Sequence, residues 1–228
     1  MPDHEIIYAE KAESYDLLIS RQKSVYETLV KIKPFQGLDI IDLGAGTGRL
    51  TCLLAPKAKS VLALDRSRAM LDVAAAKLKK MGLANWKVEV ADHRQLPVAD
   101  HSADLIVSGW SICYLGSSNA ANWKQNIDQV MKEIKRVLRP GGSVIIFETM
   151  GTGTETPDPP EFLRGYYTML ENEYGFSHTV IRTDYAFADL AEAENLTRFF
   201  FGDELANRVV KEGLVQLPEC AGVWWRVF

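Results

Sequence analysis

The chain has little cysteine, no long apolar run and no excess of positive charge, and each deficit excludes a class of protein. Its three cysteines, Cys52, Cys113 and Cys220, are far apart and form no C-x-x-C pair. Neither a disulfide framework nor a structural zinc site is therefore expected, and each cysteine reads as a small core residue in a reducing compartment. No run of about 18 apolar residues occurs, as a membrane-spanning helix would need. The start, Met1-Pro2-Asp3-His4-Glu5, lacks a basic region leading into an apolar one, so a cytoplasmic location is expected. The net charge of -4 is uneven: residues 1–150 carry 20 Lys and Arg against 17 Asp and Glu, and residues 151–228 carry 6 against 13. Nucleic-acid binding wants a basic face for phosphates, so nucleic acid is not an expected partner.

What is present is 228 residues, 47% hydrophobic, enough for a large core without staples. Residues 9–32 place Tyr15, Leu18, Ile19, Val25, Leu29, Val30 and Ile32 at helical intervals, ending before Pro34. Apolar runs at 38–43, 60–65, 103–108 and 143–148 and the alternating 86–92 then read as strands. Helices are expected at 49–55, 67–81 (Ser67 as cap, Gly82 as stop) and 122–138. Strands alternating with helices imply a parallel sheet covered on both faces. Beyond it come a Gly/Thr/Pro loop at 149–160, a helix at 161–174, a strand at 179–187, helices at 188–212 interrupted near Gly202, and a last strand at 222–228. In that strand Trp224 and Trp225 must face opposite sides. Lys77, Lys79 and Lys80 read as a solvated helix face, and His101 and His178 are given no role.

Ligands of such sheets sit beyond the carboxyl ends of the strands, at the first glycine-rich turn. Here that turn is Asp42-Leu43-Gly44-Ala45-Gly46-Thr47-Gly48. A dinucleotide fingerprint would want glycine at 49, which is Arg49, and a phosphate-binding loop would want Gly-Lys-Ser/Thr. The motif resembles instead the first motif of class I S-adenosylmethionine-dependent methyltransferases, an acidic residue followed by three alternate glycines. Asp65 ends the second strand, where it could accept from two ribose hydroxyls, and Asp92 ends the third, at the family's adenine position. Glu133 to Ser143, with its Pro140-Gly141-Gly142 turn, also resembles the family, so the likeness spans roughly 37–148.

The resemblance implies an α/β, three-layer Rossmann-like sandwich with a seven-stranded, mostly parallel sheet and an antiparallel last strand. Residues 1–228 would form one domain: a helical cap (1–36), a cofactor-binding core (37–148) and an acceptor-covering segment with the last two strands (149–228). It also implies S-adenosyl-L-methionine as cofactor, S-adenosyl-L-homocysteine as product, and Asp42, Gly44, Ala45, Gly46, Gly48, Asp65, Arg66, Asp92, His93, Ser108 and Trp110 as cofactor contacts. Arg49 could hold the methionine carboxylate or stand solvated. No metal is expected, because the Asp-Asp-Asn cluster of catechol-type members is missing.

The fourth strand ends Ser108-Gly109-Trp110-Ser111, unlike Asn/Asp-Pro-Pro-Tyr or Pro-Cys enzymes, and the layout looks like the small-molecule branch that includes ubiquinone/menaquinone-biosynthesis-like enzymes. Tyr8, Tyr15, Trp110, Tyr114, Tyr166 and Tyr167 are then candidate acceptor walls, and His93, Glu148 and Tyr15 candidate catalytic groups. The acidity of 151–228 suggests an amine or other cationic acceptor; a solvated acidic surface is the alternative. The partner expected is a small molecule, with the chain a monomer or homodimer. A cofactor-binding protein without methyl transfer and an NAD-dependent oxidoreductase stay open as alternatives.

Overall fold

The structure is a computed structural model that describes residues 2–228. It opens with three short helices, α1 (His4–Glu10), α2 (Ala12–Ser20) and α3 (Tyr26–Ile32). α1 begins ahead of the apolar periodicity because Asp3 caps it, its carboxylate accepting from the Glu5 and Ile6 N–H groups. β1 (Asp39–Leu43), α4 (Thr51–Leu54), β2 (Ser60–Asp65), α5 (Arg68–Lys80), β3 (Trp86–Val90), β4 (Ala103–Gly109), α6 (Cys113–Gly116), α7 (Trp123–Val137) and β5 (Leu138–Thr152) follow. The chain ends with α8 (Glu161–Asn172), β6 (Ser177–Arg182), β7 (Tyr185–Ala186), α9 (Leu190–Phe201), α10 (Asp203–Glu212), β8 (Gln216–Leu217) and β9 (Glu219–Val227).

Seven strands form one sheet in the order β3-β2-β1-β4-β5-β9-β6, with β9 antiparallel to both neighbours, the expected architecture. The strand order reverses between β1 and β4, which opens a crevice beyond their carboxyl ends. Successive side chains point to opposite faces. One core therefore joins Ile41, Leu43, Ile106 and Ile146 to Ile127, Val130 and Ile134 of α7 and Tyr166 and Leu170 of α8. The other joins Ile40, Leu105, Val107, Ile145 and Phe147 to Leu29 and Leu54. Each such side chain contributes about 1.5–3 kcal/mol by leaving water. A third cluster, with Leu18, Tyr185, Leu196 and Val209, fastens the cap helix α2 to α9 and α10.

Several expectations shift. β5 continues to Thr152, past the expected end at Glu148, because it stays paired with β9 through a register shift between Thr149 and Thr152. The strand expected at 179–187 divides: Ser177–Arg182 joins the sheet, while Tyr185–Ala186 pairs with β8. Asp184 sits at the break, accepting from the Arg182 guanidinium and the Glu219 N–H. Lys77 is not part of a solvated face, since its Nζ reaches Asp16 Oδ1 at 2.6 Å and ties α5 to α2. Cys220 is buried, whereas Cys52 and Cys113 are half-buried. Trp224 lies in the first core and Trp225 against the second, on opposite faces. Among the described residues no helix is long and apolar enough to cross a membrane.

Candidate active site

The chain leaves β1 through a turn whose Gly44, Gly46 and Gly48 have φ of 72°, 53° and 85°, a region side chains disfavour. At Gly44 there is also no room, because any Cβ would overlap the Ser111 side chain. The turn is fastened to β2: the Gly44 and Ala45 N–H groups donate to Leu64 O at 2.8 and 2.9 Å. Gly46 N–H donates to Asp65 Oδ2 at 2.9 Å, and Ser67 N–H to Asp65 Oδ1 at 2.8 Å. A carboxylate has about four acceptor positions, so Asp65 can still receive two hydroxyls. Beneath the turn, buried Asp42 accepts from Thr51 Oγ1 at 2.6 Å and ties β1 to α4. Its Oδ1 has no partner, and burial pushes its pKa up to about 7.

The next strand ends line up beside it. Asp92 is gripped by Arg94, whose backbone N–H, Nε and Nη2 donate at 2.8, 2.9 and 2.7 Å. Those bonds hold its pKa down to about 2, so it is an ionised acceptor near neutrality. His93 is buried with Nε2 2.7 Å from Ser111 Oγ and Nδ1 unpartnered; burial lowers its pKa and favours the neutral ring. Ser108 is buried with a free hydroxyl. Trp110 holds a left-handed φ of 53°, donates its N–H to Phe147 O at 2.7 Å and carries the Arg49 guanidinium 3.8 Å over its ring. Arg66 stands exposed at the approach to α5.

Within β5, one residue past the level at which β4 ends, Glu148 is 0% exposed. Its Oε1 accepts from Cys113 N–H at 2.9 Å and Tyr166 OH at 3.4 Å, its Oε2 has no partner, and burial pushes its pKa up to about 8. Glu219, at the start of β9, is 2% exposed, accepts from Thr149 Oγ1 at 3.1 Å, has a free Oε2 and is likewise raised to about 8. Rings from the cap and α9 converge nearby. Tyr8 and Tyr114 hydroxyls are 2.6 Å apart, the Tyr15 ring lies 5.3 Å from those of Tyr8 and Phe200, and His4 stacks on Phe200 at 4.3 Å. Tyr15 is half-buried and raised to about 12 by burial. Tyr166 and Tyr167 lie lower, in the core: Tyr167 donates to Thr149 O at 2.7 Å and stacks on Trp224. Among the described residues no group of three or more His, Cys, Asp or Glu could hold a metal ion.

Residues 41–146, which contain this glycine turn and the flanking carboxylates Asp65 and Asp92, match the methyltransferase domain family. Those residues belong to the class I S-adenosylmethionine-dependent methyltransferases. The chain is 32% identical over 166 residues to malonyl-(acyl-carrier protein) O-methyltransferase of Marinomonas sp. (strain MWYL1), covering 72% of this chain and 56% of that one. It is 38% identical over 143 residues to the protein of the same name from Hahella chejuensis (strain KCTC 2396), covering 60% and 46%. It thus spans about half the length of these curated relatives. The solved SAM-dependent methyltransferase of Aquifex aeolicus shares the fold, with a TM-score of 0.57 over 99% of this chain and 94% of that one at 18% identity.

The site suits S-adenosylmethionine on its own chemistry. A sulfonium nucleoside has no phosphate, and the turn brings no lysine; beside it stand Asp65 at the end of β2 and Asp92 just beyond β3, with the unpartnered Ser108 hydroxyl near the end of β4 and the unpartnered His93 Nδ1 next to Asp92. The structure gathers the turn, Asp65, Asp92, His93, Ser108 and Trp110 at or just beyond the carboxyl ends of β1 to β4, with Glu148 in the neighbouring strand β5. Sequence reading missed Glu219, Ser111 and Phe200. Only Glu219 had a signal, an acidic residue leading directly into the apolar run 220–225.

Proposed function

We propose that the protein transfers the methyl group of S-adenosylmethionine to a small-molecule acceptor by in-line displacement. The observation that carries this reading is Asp65 bound to the Gly46 and Ser67 N–H groups, which sets a carboxylate at the rim of the glycine turn. The bound cofactor would supply an activated methyl carbon. The chain's own residues would do the rest: Asp65 and Asp92 accept from the nucleoside, the glycine turn admits the amino-acid end, and Asp42 with Thr51 keeps the turn in place.

Such a displacement depends chiefly on alignment and on keeping water out. The cap would support both, since it is fastened beside the site: the Ser67 hydroxyl donates to Tyr8 O at 2.8 Å, and the Tyr8 hydroxyl lies 2.6 Å from that of Tyr114. Neutral His93, Glu148 and Tyr15 are the groups available to move a proton. The curated relatives are named as O-methyltransferases of malonyl-(acyl-carrier protein), but the chain spans only 56% and 46% of their lengths, so their acceptor is not carried over.

Calorimetry with S-adenosylmethionine, S-adenosylhomocysteine and NAD tests the reading, followed by S-adenosylhomocysteine release over an acceptor panel. Binding of the first two without NAD, with release on some acceptor, is expected. Binding without release on any acceptor would mark a regulatory protein, and a preference for NAD would mark an oxidoreductase.

A further inference from the structure

Arg49 carries a charge that no carboxylate meets. Among the described residues it makes no ion pair: Nη1 donates to the neutral Gln22 Oε1, the guanidinium lies 3.8 Å over the Trp110 ring, and Nη2 is buried without a partner. Glu219 acts on it only through space and accepts from Thr149 instead. Native structures pair buried charges, and they seldom leave a buried donor unmet unless a ligand or water takes it.

A hollow of about 180 Å³ adjoins this guanidinium. It is bordered by Gly48 and Arg49 at the end of the glycine turn, Lys77 of α5, Asp16 of α2, and Gln22 and Lys23 beyond α2. Its charged lining is three cations, Arg49, Lys23 and Lys77, and one anion, Asp16. Lys77 takes that anion at 2.6 Å, and Lys23 makes no ion pair among the described residues. Two positive charges are left uncompensated, in a chain whose net charge is -4. The hollow shares Ser20, Gln22 and Lys23 with a wider cleft of about 460 Å³. There the other cations are already paired, Arg21 with Glu192 and Arg182 with Asp184 and Glu155, although Arg21 Nε is a further buried donor without a partner. The inner hollow is therefore small and cationic, and the outer cleft is wide and balanced.

We propose that the hollow binds the oxyanion group of a small molecule, a carboxylate or a phosphate, held by Arg49 Nη2 and the Lys23 ammonium, with the rest of the molecule in the outer cleft. Guanidinium and ammonium groups are the usual partners of both oxyanions, and a space of this size takes one such group and not a nucleoside. Neither Asp65 nor Asp92 lines the hollow or the cleft, so this is a second site beside the one read for the cofactor. The two are joined through Arg49, because an anion on Nη2 would hold in place the guanidinium that covers Trp110.

The test titrates inorganic phosphate and sodium acetate into the protein by calorimetry at pH 7, with sodium chloride keeping the ionic strength constant so that general screening cancels. At least one of the two is expected to bind with a Kd of about 1 mM or lower, and the tighter one identifies the group that the hollow takes. Arg49→Gln is expected to weaken that binding at least tenfold. Lys23→Gln, at an exposed position where folding is not at stake, is expected to weaken it at least threefold. The same affinity should be found, within twofold, in the presence of saturating S-adenosylhomocysteine. Neither anion binding below about 10 mM, or binding that Lys23→Gln and Arg49→Gln both leave unchanged, overturns the proposal. Mutual exclusion between the anion and S-adenosylhomocysteine also overturns it, since the guanidinium would then belong to the cofactor's own carboxylate. Failure of S-adenosylhomocysteine to bind the unaltered protein counts against the methyltransferase reading alone, because the anion titration is read without it.

Discussion

The Arg49 guanidinium lies 3.8 Å over the ring of Trp110, joining the residue after the glycine turn to the one after the fourth strand. Trp110 holds a left-handed backbone that costs about 1–2 kcal/mol, and a desolvated cation–π contact returns an amount of that order. Arg49→Ala should let Trp110 relax from its place beyond the end of the fourth strand, which we propose borders the methyl-transfer site. A kcat roughly tenfold lower, S-adenosylhomocysteine affinity within twofold, and a change in tryptophan emission that vanishes in a Trp110→Phe background are expected. Unchanged kcat and emission would refute a positioning role.

Asp65 already accepts two backbone N–H groups and has room for two more donors. A hydrogen bond to a charged group contributes about 1.5–3 kcal/mol. Asp65→Ala should therefore weaken S-adenosylmethionine binding by about 100-fold or more in calorimetry, with Asp65→Asn between the two. An affinity that does not move would argue against Asp65 as the nucleoside contact.

Gly44 and Gly82 both have positive φ, yet differ in surroundings. A Cβ at Gly44 meets Ser111, whereas at Gly82 nothing lies within 4 Å. Gly82→Ala should cost only the left-handed backbone, about 1–2 kcal/mol, and leave cofactor binding intact. Gly44→Ala should cost more in thermal denaturation and abolish cofactor binding, and Ser111→Gly should restore part of the loss. Equal effects at the two glycines would show that conformation alone matters.

Asp42, Glu148 and Glu219 keep their protons when folded to about pH 7, 8 and 8, while in the unfolded chain they lose them near 4. Between those limits the folded state holds more protons, so stability falls as pH rises, by at most about 1.4 kcal/mol per unit for each group. Asp92, held near 2, and the lowered Asp39, Asp104, Glu133 and Asp184 act oppositely and lose their contribution in acid. The urea midpoint should peak near pH 5 and decline toward 8.5, and Glu148→Gln and Glu219→Gln should flatten the decline. A midpoint rising from pH 5 to 8.5 would contradict these assignments.

The parallel core was legible because its information is local. A buried strand is a short apolar run, the helices carry a 3.6-residue stripe, and Gly44, Gly46 and Gly48 mark a turn that few other residues tolerate. Capping by Asp3 was legible in principle too, yet the weak amphipathicity of α1 hid it. The break at Asp184 was not, since it depends on a hydrogen bond to Glu219, 35 positions away.

The sequence by itself determined the βα alternation, the turn and the strand-end carboxylates Asp65 and Asp92, because periodicity, backbone conformation and short spacing are properties of neighbouring residues. Only the tertiary structure decided that Arg49 covers Trp110, that Tyr166 and Tyr167 lie in the core, and that Glu148 and Glu219 are buried. Burial and the pKa it raises arise when distant segments exclude water from the same place, and the pairing of β5 with β9 joins residues some seventy positions apart.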